Sequence, residues 1–158
     1  MNETYDIAIV GATGSVGREI LQILEQRKFP INNLYLLASE KSKGSKIEFN
    51  NEEIIVDDLS NFDFSKTQIS LFSPGSAVSS KFAPLAAEKG SLVIDNTSYF
   101  RMHNDVPLIV PEVNAEVLDE YFEKNNRKNI IANPNCSTIQ MLVALKPLHD
   151  KAIINRIV

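Results

Sequence analysis

The feature that most constrains this fold is a glycine turn that directly follows a short hydrophobic segment. Residues 5–10 form a β-branched run that predicts a strand, and glycines stand at positions 11, 14 and 17 immediately after it. Across residues 16–26, apolar side chains recur at helical spacing. A strand, a glycine turn and a helix in this order open a nucleotide-binding βαβ unit. We therefore expect a parallel sheet whose first strand leads into a phosphate-binding turn.

Each glycine of the turn has its own expected role. Gly11 allows the tight turn, Gly14 lets the backbone approach a pyrophosphate, and Gly17 lets the helix pack close to the strand. The phosphate would rest on the helix N-terminus. Three glycines also occur as simple turn chemistry, but the position between a strand and an amphipathic helix favours a cofactor site. The predicted binding residues of the turn are Gly11, Thr13, Gly14, Ser15, Val16 and Gly17.

Hydrophobic runs and helical patterns alternate along the rest of the chain. Strands are predicted at 33–38, 54–57, 69–72, 92–95, 108–110 and 130–132, with a polar loop at 39–46. Helices are predicted after Gly75, at 115–123 and after Cys136, the first of them bent or restarted at Pro84 because proline disturbs a helix interior. The alternation predicts an α/β fold, a Rossmann-type doubly wound and mostly parallel sheet with helices on both faces.

The 158 residues match the size of one domain with a single core. We expect a dinucleotide-binding domain over 1–150 that carries the cysteine. Residues 153–158 have the pattern of a strand that begins without a partner. We therefore expect 151–158 to be the start of a following domain.

Composition excludes several function classes. The net charge of −4, from 16 basic and 20 acidic residues, argues against a nucleic-acid surface. No apolar run approaches the roughly 18 residues of a membrane span, and residues 1–6 lack the basic segment of a signal peptide. The single cysteine permits no internal disulfide, which fits a cytoplasmic protein.

The residues after the second strand bear on the choice between NAD and NADP. An acidic side chain at this point usually contacts the ribose hydroxyls of NAD, and Glu40 is a candidate. The hydroxyls and ammonium of Ser39, Lys41 and Ser42 suit a 2′-phosphate better, so we favour NADP, although charged loops are often simply solvated. Ser73 and Gly75, after the strand at 69–72, complete the predicted cofactor residues.

The only cysteine lies at a predicted junction between a loop and a helix. Apolar residues at helical spacing follow Cys136, which places it at or just before the first helical turn. The N–H groups and the positive dipole end of a helix favour a thiolate over a thiol. A lone cysteine is often a buried structural residue, but the neighbours of Cys136 are polar and cap-forming. We favour a nucleophile for acyl transfer.

Together, the glycine turn and the cysteine motif resemble the aspartate-semialdehyde dehydrogenase family. The segments that carry the resemblance are 93–102, 106–114, 133–140 and 145–148, and it spans essentially the whole chain. It implies NADPH-dependent reductive dephosphorylation of 4-phospho-L-aspartate to L-aspartate 4-semialdehyde, a step of lysine, methionine, threonine and diaminopimelate biosynthesis. It also implies a homodimer or homotetramer.

The resemblance assigns roles to three side chains. Cys136 would attack the acyl phosphate, expel phosphate and form a thioester that hydride from the nicotinamide reduces. Arg101 matches the phosphate-binding arginine of the family, and Asn135 matches its phosphate-contacting asparagine. The structural alternatives are a surface salt bridge for Arg101 and a turn or helix cap for Asn135.

A general acid–base is the missing component. Of the two histidines, His103 follows Arg101 in a polar loop, and His149 lies near the end of the cysteine helix. In the family, the base histidine and a second substrate arginine belong to the following domain, so we expect this chain to be incomplete. Two other interpretations remain: N-acetyl-γ-glutamyl-phosphate reductase, which carries glycine and tyrosine where this chain has Asn135 and Ser137, and a non-catalytic nucleotide-binding or redox-sensing module.

Overall fold

The structure, a computed structural model, describes residues 3–123 and 128–157. Met1 and Asn2 of the N-terminal segment, and Val158 of the predicted last strand, lie outside the described residues. The strands are β1 Tyr5–Val10, β2 Ile31–Ala38, β3 Lys46–Phe49, β4 Glu52–Asp58, β5 Ile69–Phe72, β6 Leu92–Asp95 and β7 Ile130–Ala132. The helices are α1 Ser15–Gln26, α2 Ser76–Glu88, α3 Pro111–Asn114, α4 Val117–Glu123 and α5 Cys136–Lys151.

The strands form one seven-stranded sheet in the order β3-β4-β2-β1-β5-β6-β7. All neighbouring strands are parallel except β3, which pairs antiparallel with β4. From β1 the chain first builds toward β2 and then returns to the other side at β5. The strand order therefore reverses between β1 and β5, which is where open α/β sheets bind ligands at the carboxyl ends of their strands. The predicted fold class is confirmed.

Alternate residues of β1 belong to two hydrophobic clusters. Ile7 and Ile9 pack with Leu21 of α1, whereas Ala8 and Val10 pack with residues of α2. This follows from the two-residue period of a strand, which sends successive side chains to opposite faces. Because β1 is buried on both faces, its carboxyl end is fixed, and the glycine turn that follows is fixed with it.

The sequence prediction differs from the structure in three details. Strand β3 was not predicted and begins at Lys46, the last residue of the predicted loop 39–46; it was missed because only Ile47 and Phe49 of it are buried. The hairpin turn after it consists of two asparagines with φ of 52° and 63°. Residues 108–110 make a single bridge at Leu108 rather than a strand. Residues 153–157 form no strand and follow α5 as an irregular segment.

The predicted restart of the helix at Pro84 is also wrong, because α2 runs from Ser76 to Glu88 with the proline inside it, whereas a bend there stays a prediction. Ala83 and Ala86 on either side of the proline are fully buried against the sheet. We infer that this packing offsets the single backbone hydrogen bond that a proline removes. The predicted helix 115–123 is observed as α4, with the short α3 before it.

No helix within residues 3–123 and 128–157 combines the length and apolar character that crossing a membrane requires.

Candidate functional site

The glycine turn joins β1 to α1 and packs against the loop after β5. Gly11 has φ of 88°, and its N–H donates to the carbonyl of Leu37 at 2.8 Å. A Cβ added at Gly11 would lie 2.9 Å from the carbonyl of Ser73, and one added at Gly17 would lie 2.3 Å from the carbonyl oxygen of Gly11. Positions 11 and 17 therefore require glycine, as the sequence predicted, the first for its conformation and the second for close packing.

Gly14 is the N-cap of α1, and its φ of −74° is open to any residue. A Cβ there would meet only the carbonyl oxygen of Gly11, at 3.3 Å. The fold therefore does not require glycine at 14, and its role in admitting a pyrophosphate stays a prediction. Ser15 and Val16 form the exposed first turn of α1, whose N-terminus has no side-chain cap. The N–H groups of that turn are available to an anion.

A cavity of about 370 Å³ opens beside the glycine turn at the carboxyl ends of β1, β2, β4 and β5. Of the predicted cofactor residues, it is lined by Gly11, Thr13, Gly14, Ser39 and Ser73. The other lining residues were missed by the sequence analysis: Ala38, Leu59, Ser60, Pro74, Val78 and Phe82. They come from four separate segments, which meet only through the strand order. The available signal was the position of Leu59 and Ser60 directly after a strand.

The segment after β2 forms one 3₁₀ turn, Glu40–Ser42, with Ser39 as its N-cap. The N–H of Ser42 donates to the carbonyl of Ser39 at 2.8 Å. Glu40 and Lys41 are both exposed beside the cavity-lining Ser39. Both charges are thus accessible to a ribose or to its phosphate.

Gly75, the N-cap of α2, has φ of 94°. A Cβ added there would meet no other atom, so only the backbone conformation favours glycine at this position.

Asp58 holds the next segment along the cavity. Its carboxylate accepts a hydrogen bond from the N–H of Ser60 at 2.9 Å and one from Asn61 Nδ2 at 2.8 Å. These bonds cap the 3₁₀ turn Leu59–Asn61. The bond from Ser60, followed by the bond from Asn61 and the nearby charge of Lys43, lowers the pKa of Asp58 despite its burial. A carboxylate therefore fixes one wall of the cavity.

Cys136 is the first residue of α5 and is exposed. The preceding Asn135 is the N-cap, and its Oδ1 accepts a hydrogen bond from the N–H of Ser137 at 3.0 Å. The predicted position of the cysteine at a helix N-terminus is confirmed, and its burial as a core residue is excluded. The structural alternative for Asn135, a helix cap, is observed, and its Nδ2 group makes no hydrogen bond to the described residues.

Arg101 lies in a 3₁₀ turn, Tyr99–Met102, that follows β6. Its Nε donates to the carbonyl of Asn133 and its Nη2 donates to the carbonyl of Asn96, both at 2.9 Å. Within the described residues no carboxylate pairs with it, so it is not part of a surface salt bridge there. Guanidinium carries five N–H donors, and these two bonds leave three of them for a further acceptor such as phosphate.

The loops after β6 and β7 are joined by side-chain and backbone bonds. Asn133 Nδ2 donates to Asn96 Oδ1 at 2.6 Å, and the N–H of Asn133 donates to the carbonyl of Asp95 at 2.8 Å. The fully buried Asp95 in turn accepts from the N–H and the hydroxyl of Thr97. The segment that carries Arg101 and the segment that leads to Cys136 therefore form one connected unit.

The two histidines lie at opposite ends of this region. The ring of His103 lies 5.2 Å from the rings of Tyr99 and Phe100. His149 is in the last turn of α5, and its Nδ1 accepts from the N–H of Ile154 at 3.3 Å. Since α5 rises about 1.5 Å per residue, His149 is roughly 20 Å along the helix from Cys136. The structure does not bring it to the cysteine.

Comparison with known proteins defines the family. The family model described as semialdehyde dehydrogenase, NAD binding domain, matches residues 6–121. The chain belongs to the semialdehyde dehydrogenase family. The resemblance predicted from the motifs is confirmed, and the glycine turn and its cavity lie within the part that the family defines as NAD-binding.

Relatives in this family align along the whole chain. Aspartate-semialdehyde dehydrogenase 2 of Vibrio cholerae is 52% identical over 157 residues, covering 99% of this chain and 45% of the relative. The crystal structure of aspartate semialdehyde dehydrogenase II from Vibrio cholerae, complexed with ASA, superimposes with a TM-score of 0.88 at 53% identity, over 94% of this chain and 47% of that one. The crystal structure of aspartate semialdehyde dehydrogenase with NADP from Candida albicans superimposes with a TM-score of 0.78 at 26% identity, over 96% of this chain and 48% of that one. The chain spans about half the length of the curated relatives it matches.

Proposed function

We propose that this chain forms the cofactor-binding and nucleophile-bearing part of an aspartate-semialdehyde dehydrogenase that uses NADP. The observation that carries the proposal is the arrangement of two features at one edge of the sheet. The glycine turn and its cavity lie at the carboxyl end of β1, and the exposed Cys136 follows the carboxyl end of β7. The identity to relatives of that name supports the same assignment.

The chemistry of the cavity lining fits a dinucleotide. Gly11 and Gly17 allow the turn, the loop after β5 and α1 to pack closely, and the uncapped N-terminus of α1 offers N–H groups to a pyrophosphate. Thr13, Gly14, Ser15 and Val16 would surround the phosphates, with Ser73 on the other wall and Gly75 just after it. Ser39, Lys41 and Ser42 would receive the 2′-phosphate. When bound, NADPH would supply hydride to a substrate carbon.

Cys136 would perform the covalent steps. Its thiolate attacks the acyl carbon of 4-phospho-L-aspartate, the S–C bond forms, and the C–O bond to phosphate breaks. After hydride reaches the thioester carbon, the C–S bond breaks, aspartate 4-semialdehyde leaves, and the thiolate returns. The position at the first turn of α5 stabilises negative charge on sulfur. The remaining N–H groups of Arg101 and the Nδ2 of Asn135 would bind the phosphate.

Hydride addition to the thioester gives a thiohemiacetal, and the described residues near Cys136 provide no acid–base group to protonate its oxygen and to remove that proton when it collapses to the aldehyde. His149 is at the far end of α5 and bonded to the backbone, and His103 lies among aromatic rings. We infer that this chain alone binds NADP but turns over little. In a cytoplasmic homodimer or homotetramer of full-length protein, additional polypeptide would supply the base. The exposed apolar side chains of α5, among them Met141 and Leu148, support packing against such polypeptide.

Calorimetric titration of the folded chain with NADP and, separately, with NAD tests the cofactor assignment. Tighter binding of NADP is expected because the 2′-phosphate gains the ammonium and hydroxyls of the loop after β2. Binding of neither nucleotide would remove the cofactor assignment. Rapid phosphate-dependent reduction of NADP with aspartate semialdehyde by this chain alone would contradict the inference that it is incomplete.

A further inference from the structure

The strand order assigns one half of the cavity to the nicotinamide of the cofactor and the other half to its adenosine. Cys136 follows β7, which lies on the β5 side of β1, whereas β2 and β4 lie on the opposite side. A nicotinamide that reacts at the cysteine must therefore extend from the glycine turn toward β5 and β6. The adenosine half must extend toward β2 and β4, where Ser39, Leu59 and Ser60 line the cavity.

The wall on the β4 side suits a flat base. Leu59 is only 6% exposed and is anchored in the core, while Val78 and Phe82 of α2 line the same cavity. These side chains form an apolar slot, and the exposed Ser60 supplies a hydroxyl at its edge. A purine ring, apolar on its faces and polar at its edge, matches this lining.

The shape of that wall depends on one carboxylate. Asp58 ends β4 and is 9% exposed. Its two oxygens accept from Ser60 and Asn61, so it fixes the turn Leu59–Asn61 from within. Removal of the Asp58 side chain leaves the backbone N–H of Ser60 without this acceptor, and the turn then keeps one internal backbone bond, from the N–H of Phe62 to the carbonyl of Leu59 at 3.3 Å.

Asp58 also adjoins the segment after β2. The N–H of Gly44 donates to the carbonyl of Val56 at 2.9 Å, and the N–H of Val56 donates to the carbonyl of Ser45 at 2.8 Å. Lys43, in the same segment, interacts electrostatically with Asp58. The loop proposed for the 2′-phosphate and the turn beside the base are thus held against the same strand.

We propose that Asp58 is a positioning residue for the adenosine half of NADP, which it serves by holding Leu59 and Ser60 as one wall of the base-binding slot. The inference rests on the proposed function. The inference goes beyond the proposed function because it separates the two halves of the cofactor. Asp58 controls the affinity for adenosine 2′,5′-bisphosphate and leaves the affinity for nicotinamide mononucleotide unchanged.

Two other aspartates provide matched controls. Asp63 caps the turn Phe64–Lys66 in the same way, accepting from the N–H of Ser65 at 3.1 Å, but it does not line the cavity beside the glycine turn. Asp63 does adjoin Leu59 and Ser60 on their other side, so Asp63→Ala repeats the loss of a cap at a neighbouring turn whose own residues do not line the proposed base slot. Asp57 is exposed and precedes Asp58, and its carboxylate makes no hydrogen bond to the described residues. Asp57→Asn therefore removes one nearby negative charge alone.

The experiment is calorimetric titration of five proteins with NADP, adenosine 2′,5′-bisphosphate and nicotinamide mononucleotide. The proteins are wild type, Asp58→Ala, Asp58→Asn, Asp57→Asn and Asp63→Ala, each checked for folding by circular dichroism. Asp58→Ala should weaken NADP and the bisphosphate equally, by about tenfold, as expected for a lost cap. Asp58→Asn keeps an acceptor for the N–H of Ser60, so it should lose less affinity than Asp58→Ala. It also provides the test if the alanine variant does not fold. Asp63→Ala should bind the bisphosphate with the same affinity as wild type. Asp57→Asn should bind it with the same affinity or more tightly.

The inference is overturned if neither Asp58 variant loses affinity for the bisphosphate, or if Asp63→Ala loses as much. A charge effect rather than positioning would appear as tighter binding by Asp58→Asn, and this also overturns it. If wild type binds NADP while the Asp58 variants bind it equally well, the proposed function stands and only this inference fails. If wild type binds neither NADP nor the bisphosphate, both fail.

Discussion

The Nε group of Arg101 donates a 2.9 Å hydrogen bond to the carbonyl oxygen of Asn133, three residues before Cys136. The same guanidinium donates to the carbonyl of Asn96 after the neighbouring strand. One side chain thus connects the loop after β6 to the loop that positions the cysteine. A side chain proposed to bind phosphate therefore also fixes the backbone that leads to the proposed nucleophile.

Arg101→Ala should destabilise the fold as well as weaken phosphate binding. Loss of two bonds from a charged donor to partly buried carbonyls is expected to cost about 2 kcal/mol in the free energy of unfolding. Arg101→Lys should recover part of this, because an ammonium reaches one acceptor but lacks the planar fork. Urea denaturation followed by circular dichroism measures both. Equal stability of wild type and Arg101→Ala would contradict the connecting role.

The contacts of Gly17 predict a second stability effect. An added Cβ would overlap the carbonyl oxygen of Gly11 at 2.3 Å, so Gly17→Ala should separate α1 from the turn and cost about 2 kcal/mol. Binding of NADP should weaken as well. Gly14→Ala is the matched control, because its nearest contact would be 3.3 Å and its cost should stay below about 1 kcal/mol. A larger loss at Gly14 would contradict the packing argument.

Acid should destabilise this fold through its capping carboxylates. Hydrogen bonds from Ser60 lower the pKa of Asp58, those from Ser65 lower the pKa of Asp63, and Lys128 lowers the pKa of Asp105. Each pKa is lower in the folded chain than in the unfolded one, so the unfolded chain binds more protons as pH falls. These three carboxylates therefore make their full contribution to the free energy of unfolding above the ordinary aspartate pKa, near pH 4. That contribution declines as the pH falls below this value.

Urea midpoints at pH 7, 5, 4 and 3 measure this decline. The midpoint should be nearly constant from pH 7 to 5 and fall between pH 4 and 3. In Asp63→Asn, one of the titrating groups is gone, and the fall should be shallower than in wild type. A midpoint that rises toward pH 3 would show that other groups dominate.

The sequence predicted most of the central sheet because local and global signals agree there. Residues 5–10 form a β-branched run followed by glycines, and the structure places β1 at the centre of the sheet, where residues 7–10 are buried on both faces. Strand β4 was predicted at 54–57, but its hairpin partner β3 was missed because β3 is the edge strand of the sheet. Only Ile47 and Phe49 of β3 are buried, so its pattern resembled a polar loop.

The cysteine and the cavity show the same contrast between local and long-range information. Asn135 and Cys136 are adjacent in sequence, so the cap and the helix N-terminus were predictable from the motif. Val78 and Phe82 meet Leu59 only because β5 returns to the other side of β1. No spacing along the chain encodes that contact. The predicted restart of the helix at Pro84 failed for a related reason, since burial of α2 outweighs a local preference.

The loop after β2 should determine the preference between the two dinucleotides. Lys41 is exposed next to Ser39, which lines the cavity. Lys41→Ala should weaken NADP about fivefold at low salt and leave NAD unchanged, because an exposed ammonium contributes about 1 kcal/mol to a phosphate contact. Glu40→Ala is the companion variant. If Glu40 binds the ribose hydroxyls instead, its loss will weaken NAD, and Lys41→Ala will change neither affinity.

The reactivity of Cys136 separates an enzyme from a non-catalytic nucleotide-binding module. The thiol is exposed at the first turn of a 16-residue helix, where N–H groups and the dipole stabilise a thiolate. Iodoacetamide should therefore alkylate the folded chain once, faster than it alkylates glutathione at the same pH. Cys136→Ser should prevent the mass increase while leaving NADP affinity nearly unchanged, because the cysteine follows β7 and the glycine turn follows β1. Alkylation only after denaturation would indicate a structural cysteine, and a rate no faster than that of glutathione would favour the non-catalytic module.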